Sequence, residues 1–249
     1  DHGVSVADMA RWFDEGPYAS EDAIALGLAE SALDDHDLGD PLEALIGTNR
    51  RRTDRPRHAV HSVARPKPIG GVVIDATSRH CNNVDYPVLE IHQSGGRTIV
   101  AAIDQLAADA SIGAIVIRVD SPGGSALASD AIWRAIRRAR KQKPVIASMG
   151  SLAASGGYYV AAAANEIWAA PSTITGSIGI FFGKADFAPL AEELGVTTEQ
   201  LQRGRHAGAT SLFRPFTGEE RAQLADLIRR WYVLFLDRVA EARGMTRTE

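Results

Sequence analysis

The sequence predicts an α/β fold, and three observations predict it. Short apolar runs at 69–74 (IGGVVI), 115–119 (IVIRV) and 144–149 (PVIASM) have the length of buried strands rather than of helices. Between them lie segments at helical spacing, with Ile99, Val100, Ile103, Leu106 and Ala107 in the first and Leu127, Ile132, Trp133 and Ile136 in the second. Finally, from Pro144 to Gly183 the one charged side chain is Glu166. The uncharged run 144–165 is long enough to suggest a membrane span. Its Pro144, Gly150, Gly156 and Gly157, and its many Ala and Ser, instead fit the close-packed interior of a domain whose strands alternate with helices.

Composition narrows the classes. The chain has 249 residues, 45% hydrophobic and 23% charged, with net charge −4. That suits one or two globular domains with a real core. The mild acidic balance gives no reason to expect a nucleic acid partner. Cys81 is the single cysteine, so no internal disulfide forms. His58, His61, His80 and Cys81 lack a second ligand pair at metal spacing, so neither a metal nor a cofactor is expected. No signal peptide or transmembrane helix stands out.

In chain order, Val4, Ala7, Met9, Trp12 and Phe13 form a helical pattern, and Ser20 can cap a short helix over Glu21 to Leu26 that ends at Gly27. Residues 31–48 are acidic and weakly helical. Residues 49–68 carry seven Lys/Arg against Asp54 and read as a basic linker rather than a phosphate patch, since no aromatic interleaving or periodic face accompanies the charge. Ala59 to Ala64 could form an edge strand. Residues 69–74 are a strand and 77–86 irregular. Thr98 to Ala108 is a helix and Ile115 to Val119 a strand. Ser121 to Gly124 is a tight turn. Ser125 to Arg140 is an amphipathic helix whose basic end suits its C-terminus.

Pro144 to Met149 is then a strand, Ser155 to Ala164 a small-residue helix, and Glu166–Ala170 and Ile174–Phe182 further strands. A helix at 186–195, a strand at 197–202, a loop, and a long helix from Gly218 to Gly244 complete the chain. The last helix bears the stripe Leu224, Leu227, Ile228, Trp231, Leu234, Phe235 and Val239, which is core or subunit interface.

Two glycine turns follow buried strands, and one carries serine. Ser155 falls where a strand gives way to a helix, among helix N-terminal NH groups that favour developing negative charge. Gly156 and Gly157 let a substrate backbone approach. The simpler reading of Ser155 is an N-cap. The Gly123-Gly124 turn offers backbone NH groups to an oxyanion or a phosphate. It is no Walker loop, since no Gly-Lys-Ser/Thr follows. Together the turns point to acyl transfer.

Three motifs in order, RVDSPGGSALAS, SMGSLAASGGYYVAAAANEIWAAPSTITGSIGIF and a GRHAG loop, resemble the signal peptide peptidase A (protease IV) family over residues 69–245. The resemblance implies a Clp-protease/crotonase-like fold of stacked ββα units and a Ser–Lys dyad. It also implies hydrophobic leftover signal peptides as substrates. The expected setting is a membrane-anchored, ring-like homo-oligomer on the extracytoplasmic side of the bacterial cell membrane. Carried across by motif, Ser155 is the nucleophile, Gly123, Gly124 and Gly156 provide oxyanion NH groups, and Ser177 of TGSIG positions the lysine.

The base departs from the pattern of single-unit members. The lysines are Lys67, Lys141, Lys143 and Lys184. In the family's Gly-x-x-Lys loop this chain has Gly204-Arg205-His206-Ala207, so Ala207 stands in the lysine's place. Arg205 cannot deprotonate at working pH, which leaves His206 or Lys184 as substitutes within the chain. Double-length members suggest another solution, in which the first half's lysine serves the second half's serine. Residues 12–30 resemble the segment that closes a unit, so the expected organisation is a closing segment of a preceding repeat (1–48), a basic linker (49–68) and a peptidase domain (69–249), with the base upstream of Asp1. A non-catalytic half kept for ring assembly and a crotonase-type acyl-thioester enzyme are the alternatives.

Overall fold

The computed structural model describes residues 11, 15, 20–26, 69–75, 77–79, 84–86 and 91–247. The expected helical pattern at 4–13, the acidic stretch 31–48, the basic linker 49–68 with its edge strand, and the His80-Cys81 pair lie outside the described residues, Arg11 excepted. The chain divides into two units, Asn49–Ile180 with Tyr232–Glu249, and Asp1–Thr48 with Phe181–Trp231.

The first unit is built on a parallel sheet of β1 (Ile69–Asp75), β5 (Ala114–Ser121), β6 (Val145–Ala154) and β7 (Glu166–Trp168), in that order, with β8 (Ile174–Gly176) also paired to β6. β6 shares one edge between two partners. Its first half pairs Ile146–Ser148 with Glu166–Trp168, and its second half pairs Leu152–Ala154 with Ile174–Gly176. β6 therefore runs to Ala154, past the expected end at Met149. A small second sheet holds β2 (Thr77–Arg79), β4 (Ile91–Gly95) and β3 (Val84–Tyr86), and β2 and β3 fall in the segment 77–86 expected to be irregular. Strands of three residues carry too little periodicity to be read from sequence.

Alternation along β5 buries Ile115, Ile117 and Val119, and along β6 it buries Val145, Ala147 and Met149. Helices α2 (Gly96–Ala108) and α3 (Ala126–Ala139) supply Ile99, Ile103, Leu106, Ile132, Trp133 and Ile136 to the same core, and α4 (Gly156–Ala162) adds Tyr159 and Val160. Each such large side chain contributes on the order of 1.5–3 kcal/mol by leaving water. At Gly70 a Cβ would fall 2.5 Å from Leu106 Cδ2, so α2 lies closely over β1. Leu127 was expected on the buried face of α3 but is 59% exposed; Ala128, Ala135 and Ala139 share that face with Ile132, Trp133 and Ile136.

The second unit contains α1 (Ser20–Ala25), α5 (Ala188–Glu193) and the start of α6 (Gly218–Arg243). Helix α1 matches the expected one, and its last turn is closed by Leu26 N donating to Asp22 O at 2.9 Å. No strand forms at 197–202, and the strand expected over Ile174–Phe182 is confined to Ile174–Gly176, because Gly176 and Ser177 turn to positive φ. A capping box starts α6: Glu220 N donates to Thr217 Oγ1 (3.1 Å) and Thr217 N to Glu220 Oε2 (2.9 Å). The part of α6 in the first unit, from Tyr232 on, buries Phe235, 3% exposed, its ring centroid 4.8 Å from that of Tyr159. Of the stripe expected on α6, Phe235 is the fully buried member. Among the described residues no helix is long and apolar enough to cross a membrane.

Candidate active site

Ser155 closes β6 and opens α4 with φ 50° and ψ −118°, a conformation that side chains with a Cβ rarely adopt. Two backbone bonds pin it there: Ser155 N donates to Gly176 O and Tyr159 N to Ser155 O, both at 2.9 Å. The residue occupies the N-cap position, but its side chain makes no capping hydrogen bond. The hydroxyl instead lies 3.4 Å from Gly179 O, half-buried and weakly held. The N-cap role open from sequence is therefore not what this hydroxyl does.

The Gly123-Gly124 turn lies directly against this serine. Both glycines have positive φ, 110° and 142°. A Cβ on Gly123 would fall 2.7 Å from Gly156 N and 3.0 Å from Ser155 Cβ. A Cβ on Gly156 would fall 3.4 Å from Gly124 N and 2.5 Å from Ser129 Oγ. On its other side the turn is held by Ser78, whose N donates to Gly123 O (2.8 Å) and whose O accepts from Ser125 N (3.0 Å). Neither bond uses the Gly124 NH. The three glycines expected to offer amides are thus brought together, with one difference among them. Gly123 N already donates to the buried Ser121 Oγ at 3.2 Å, whereas Gly156 N is the first amide of α4 and has no intrahelical acceptor.

Ser177 is exposed and follows Gly176, the acceptor of the Ser155 amide. It also has φ 50°. Among the described residues, Ser155 and Ser177 are the two non-glycine positions with positive φ. Strain of this kind costs on the order of 1–3 kcal/mol per residue and collects at functional sites.

The candidate bases are placed as follows. Lys184 Nζ donates to Ser211 O at 2.6 Å and sits 4.4 Å over the Phe216 ring. Lys143 Nζ donates to Leu106 O at 2.7 Å and also to Asp109 O. Lys141 is exposed just beyond α3, and Lys67 lies outside the described residues. His206 is buried, its Nε2 3.7 Å from Glu219 Oε1, and Ala207 beside it is exposed. Among the described residues no group of three or more His, Cys, Asp or Glu could hold a metal.

Sequence reasoning missed Ser78, Ser121 and Ser129, which brace the two turns. Nothing local marks Ser78 or Ser129 for that task, although Ser121 sits in the turn it supports. A cleft of about 370 Å³ further back along β6 is lined by Arg118, Ser148, Ser151, Trp168 and Thr173, with Arg118 Nη1 donating to Ser148 Oγ at 2.9 Å.

Residues 137–249 match peptidase family S49, a span that includes Ser155 and Ser177. The Protease 4 of Salmonella typhi is 33% identical over 240 residues, 94% of this chain and 37% of that protein. The chain belongs to the signal peptide peptidase A family. Its similarity to other family members includes 47% identity over 135 residues with the chloroplastic serine protease SPPA of Arabidopsis thaliana, covering 53% of this chain and 20% of that one. The Protease 4 of Haemophilus influenzae is 35% identical over 182 residues, 73% of this chain and 28% of the relative. The chain thus spans 20% to 37% of the length of these three family members. Among solved structures, the ClpP1 N165D mutant from Listeria monocytogenes aligns over 72% of this chain and 74% of its own, at 16% identity and a TM-score of 0.42. The α/β class of this member rests on its own parallel sheet.

Proposed function

We propose that this chain carries the nucleophile of a serine endopeptidase that degrades hydrophobic, signal-peptide-like peptides. One observation carries the reading: a serine held at φ 50° between strand and helix, its hydroxyl not spent on capping, with a glycine turn against it. Ser155 Oγ attacks the scissile carbonyl carbon, a C–O bond forms, and the hydroxyl proton passes to an amine base. The carbonyl electron pair moves onto oxygen, where the Gly124 and Gly156 amides receive it, while Gly123 serves through its turn. Collapse breaks the C–N bond, and the leaving amine takes the proton from the base. Water then hydrolyses the acyl-enzyme with the base accepting and returning its proton.

The base is a lysine of the N-terminal half of the same protein, upstream of Asp1. Burial in the assembled site keeps it neutral enough to accept a proton. Ala207 in the motif's lysine place supports this, as do the carbonyl contacts of Lys143 and Lys184. Ser177 orients that amine. The whole protein is a membrane-anchored homo-oligomer on the extracytoplasmic side of a bacterial membrane, with the ββα stacking of Clp proteases and crotonases.

Ala207 also favours a second reading, a non-catalytic half kept for ring assembly. In the full-length protein Ser155→Ala distinguishes them. Loss of hydrophobic-peptide hydrolysis by about a thousandfold or more is expected for a nucleophile. Unchanged turnover establishes the assembly role instead.

A further inference from the structure

The two amides assigned to the oxyanion lie on different elements. Gly124 belongs to the turn that leads into α3, and Gly156 begins α4. Their separation therefore depends on how α3 is held against α4. Two contacts bear on it, made by adjacent residues of α3 to successive turns of α4. Ser129 Oγ lies where a Gly156 side chain would be, 2.5 Å from an ideal Cβ. One turn further along α4, Tyr159 OH donates to Oδ1 of Asp130, the residue after Ser129, at 2.7 Å.

Tyr159 is 6% exposed and its amide donates to Ser155 O, so the ring is tied to the same turn as the serine. Asp130 is itself held. Arg134 Nε donates to its Oδ2 at 2.7 Å, and Arg238 Nε from α6 donates to its Oδ1 at 3.3 Å. The Arg238 guanidinium stacks 4.1 Å over Trp133, which restrains it further. The Tyr159 hydroxyl is pushed well above its ordinary range, first by burial and then by the Asp130 charge, so it stays a donor at any working pH. A carboxylate with two cations and a phenol around it is more than helix packing alone needs, since Ile132, Trp133 and Ile136 already anchor α3 in the core.

We propose that Asp130 and Tyr159 are positioning residues that fix the distance between the Gly124 and Gly156 amides, and with it the aim of Ser155. The proposal rests on the serine-peptidase reading. It predicts a defect in the chemical step without a defect in binding.

The test uses the full-length protein and a fluorophosphonate, with inactivation rate followed against probe concentration. Tyr159→Phe and Asp130→Asn should each lower the limiting rate about tenfold to a hundredfold, the scale expected of a small misplacement of reacting groups. The half-saturating concentration should stay as in the parent. The double variant should be no slower than the slower single one, because the two residues act as one unit. Ile136→Val, a core change outside the site, serves as the stability control; its limiting rate should stay parental. A parental limiting rate in Tyr159→Phe, or a fall matched by Ile136→Val at equal loss of thermal midpoint, overturns the positioning role. A parent protein that takes no label at Ser155 overturns the peptidase reading as well, so the two failures are distinct.

Discussion

Gly123 and Ser155 face each other so closely that a Cβ built on the glycine falls 3.0 Å from Ser155 Cβ and 2.7 Å from the Gly156 nitrogen. The Gly156 obstacle is backbone and cannot rotate away as a long side chain would. The glycine's φ of 110° adds strain to any replacement. Gly123→Ala should therefore push the two turns apart. We expect kcat/KM to fall by about a hundredfold or more, the size of losing one oxyanion donor, with about 1–3 kcal/mol of stability lost in urea titration. Near-parental kcat/KM in this variant would mean that the turns need not touch.

The strain at Ser155 separates function from stability. Glycine adopts φ 50° and ψ −118° far more easily than serine. Ser155→Gly should abolish turnover while leaving the thermal midpoint at or above the parent value. A midpoint clearly below the parent would show that the serine side chain supports the fold, as the capping role would require.

Acid sensitivity should trace to the start of α6. Arg214 donates to both oxygens of Glu220, at 2.8 and 2.5 Å, and with Thr217 N it holds that carboxyl down at about 2, against an ordinary 4.5. The folded state binds this proton less readily than the unfolded state. The stabilisation is thus complete above about pH 4.5 and is lost as the pH falls toward 2. Urea midpoints from pH 2 to 6 should drop less steeply in Arg214→Gln than in the parent. Parallel profiles would assign the pair no role in stability.

Residues 1–249 alone should hydrolyse peptide esters feebly at most, because the proposed base lies in the N-terminal half. Supplying that half in trans should restore turnover, and a lysine-to-alanine change in its Gly-x-x-Lys loop should prevent the restoration. Brisk hydrolysis by residues 1–249 would move the base to His206 or Lys184.

Much of this arrangement was legible from sequence because it is local. Strands β1, β5 and β6 announce themselves as short apolar runs, and α3 by its spacing. The Gly123-Gly124 and Gly156-Gly157 turns mark where backbone must come close. The Thr217-Gly218-Glu219-Glu220 capping box was equally local and still went unread. Other features depend on pairing across distance. β2 has no signal apart from β4, and the bond from Tyr159 to Asp130 joins residues 29 apart in two helices whose patterns report burial and not partnership. The engagement of Gly123 N by Ser121 could not be told from the motif, which makes the three glycines look equivalent.

The most direct measurement is mass spectrometric mapping of a fluorophosphonate adduct on the full-length protein. One adduct is expected, on the peptide that contains Ser155, and none in Ser155→Ala. An adduct on any other serine, or undiminished labelling of the variant, would contradict it.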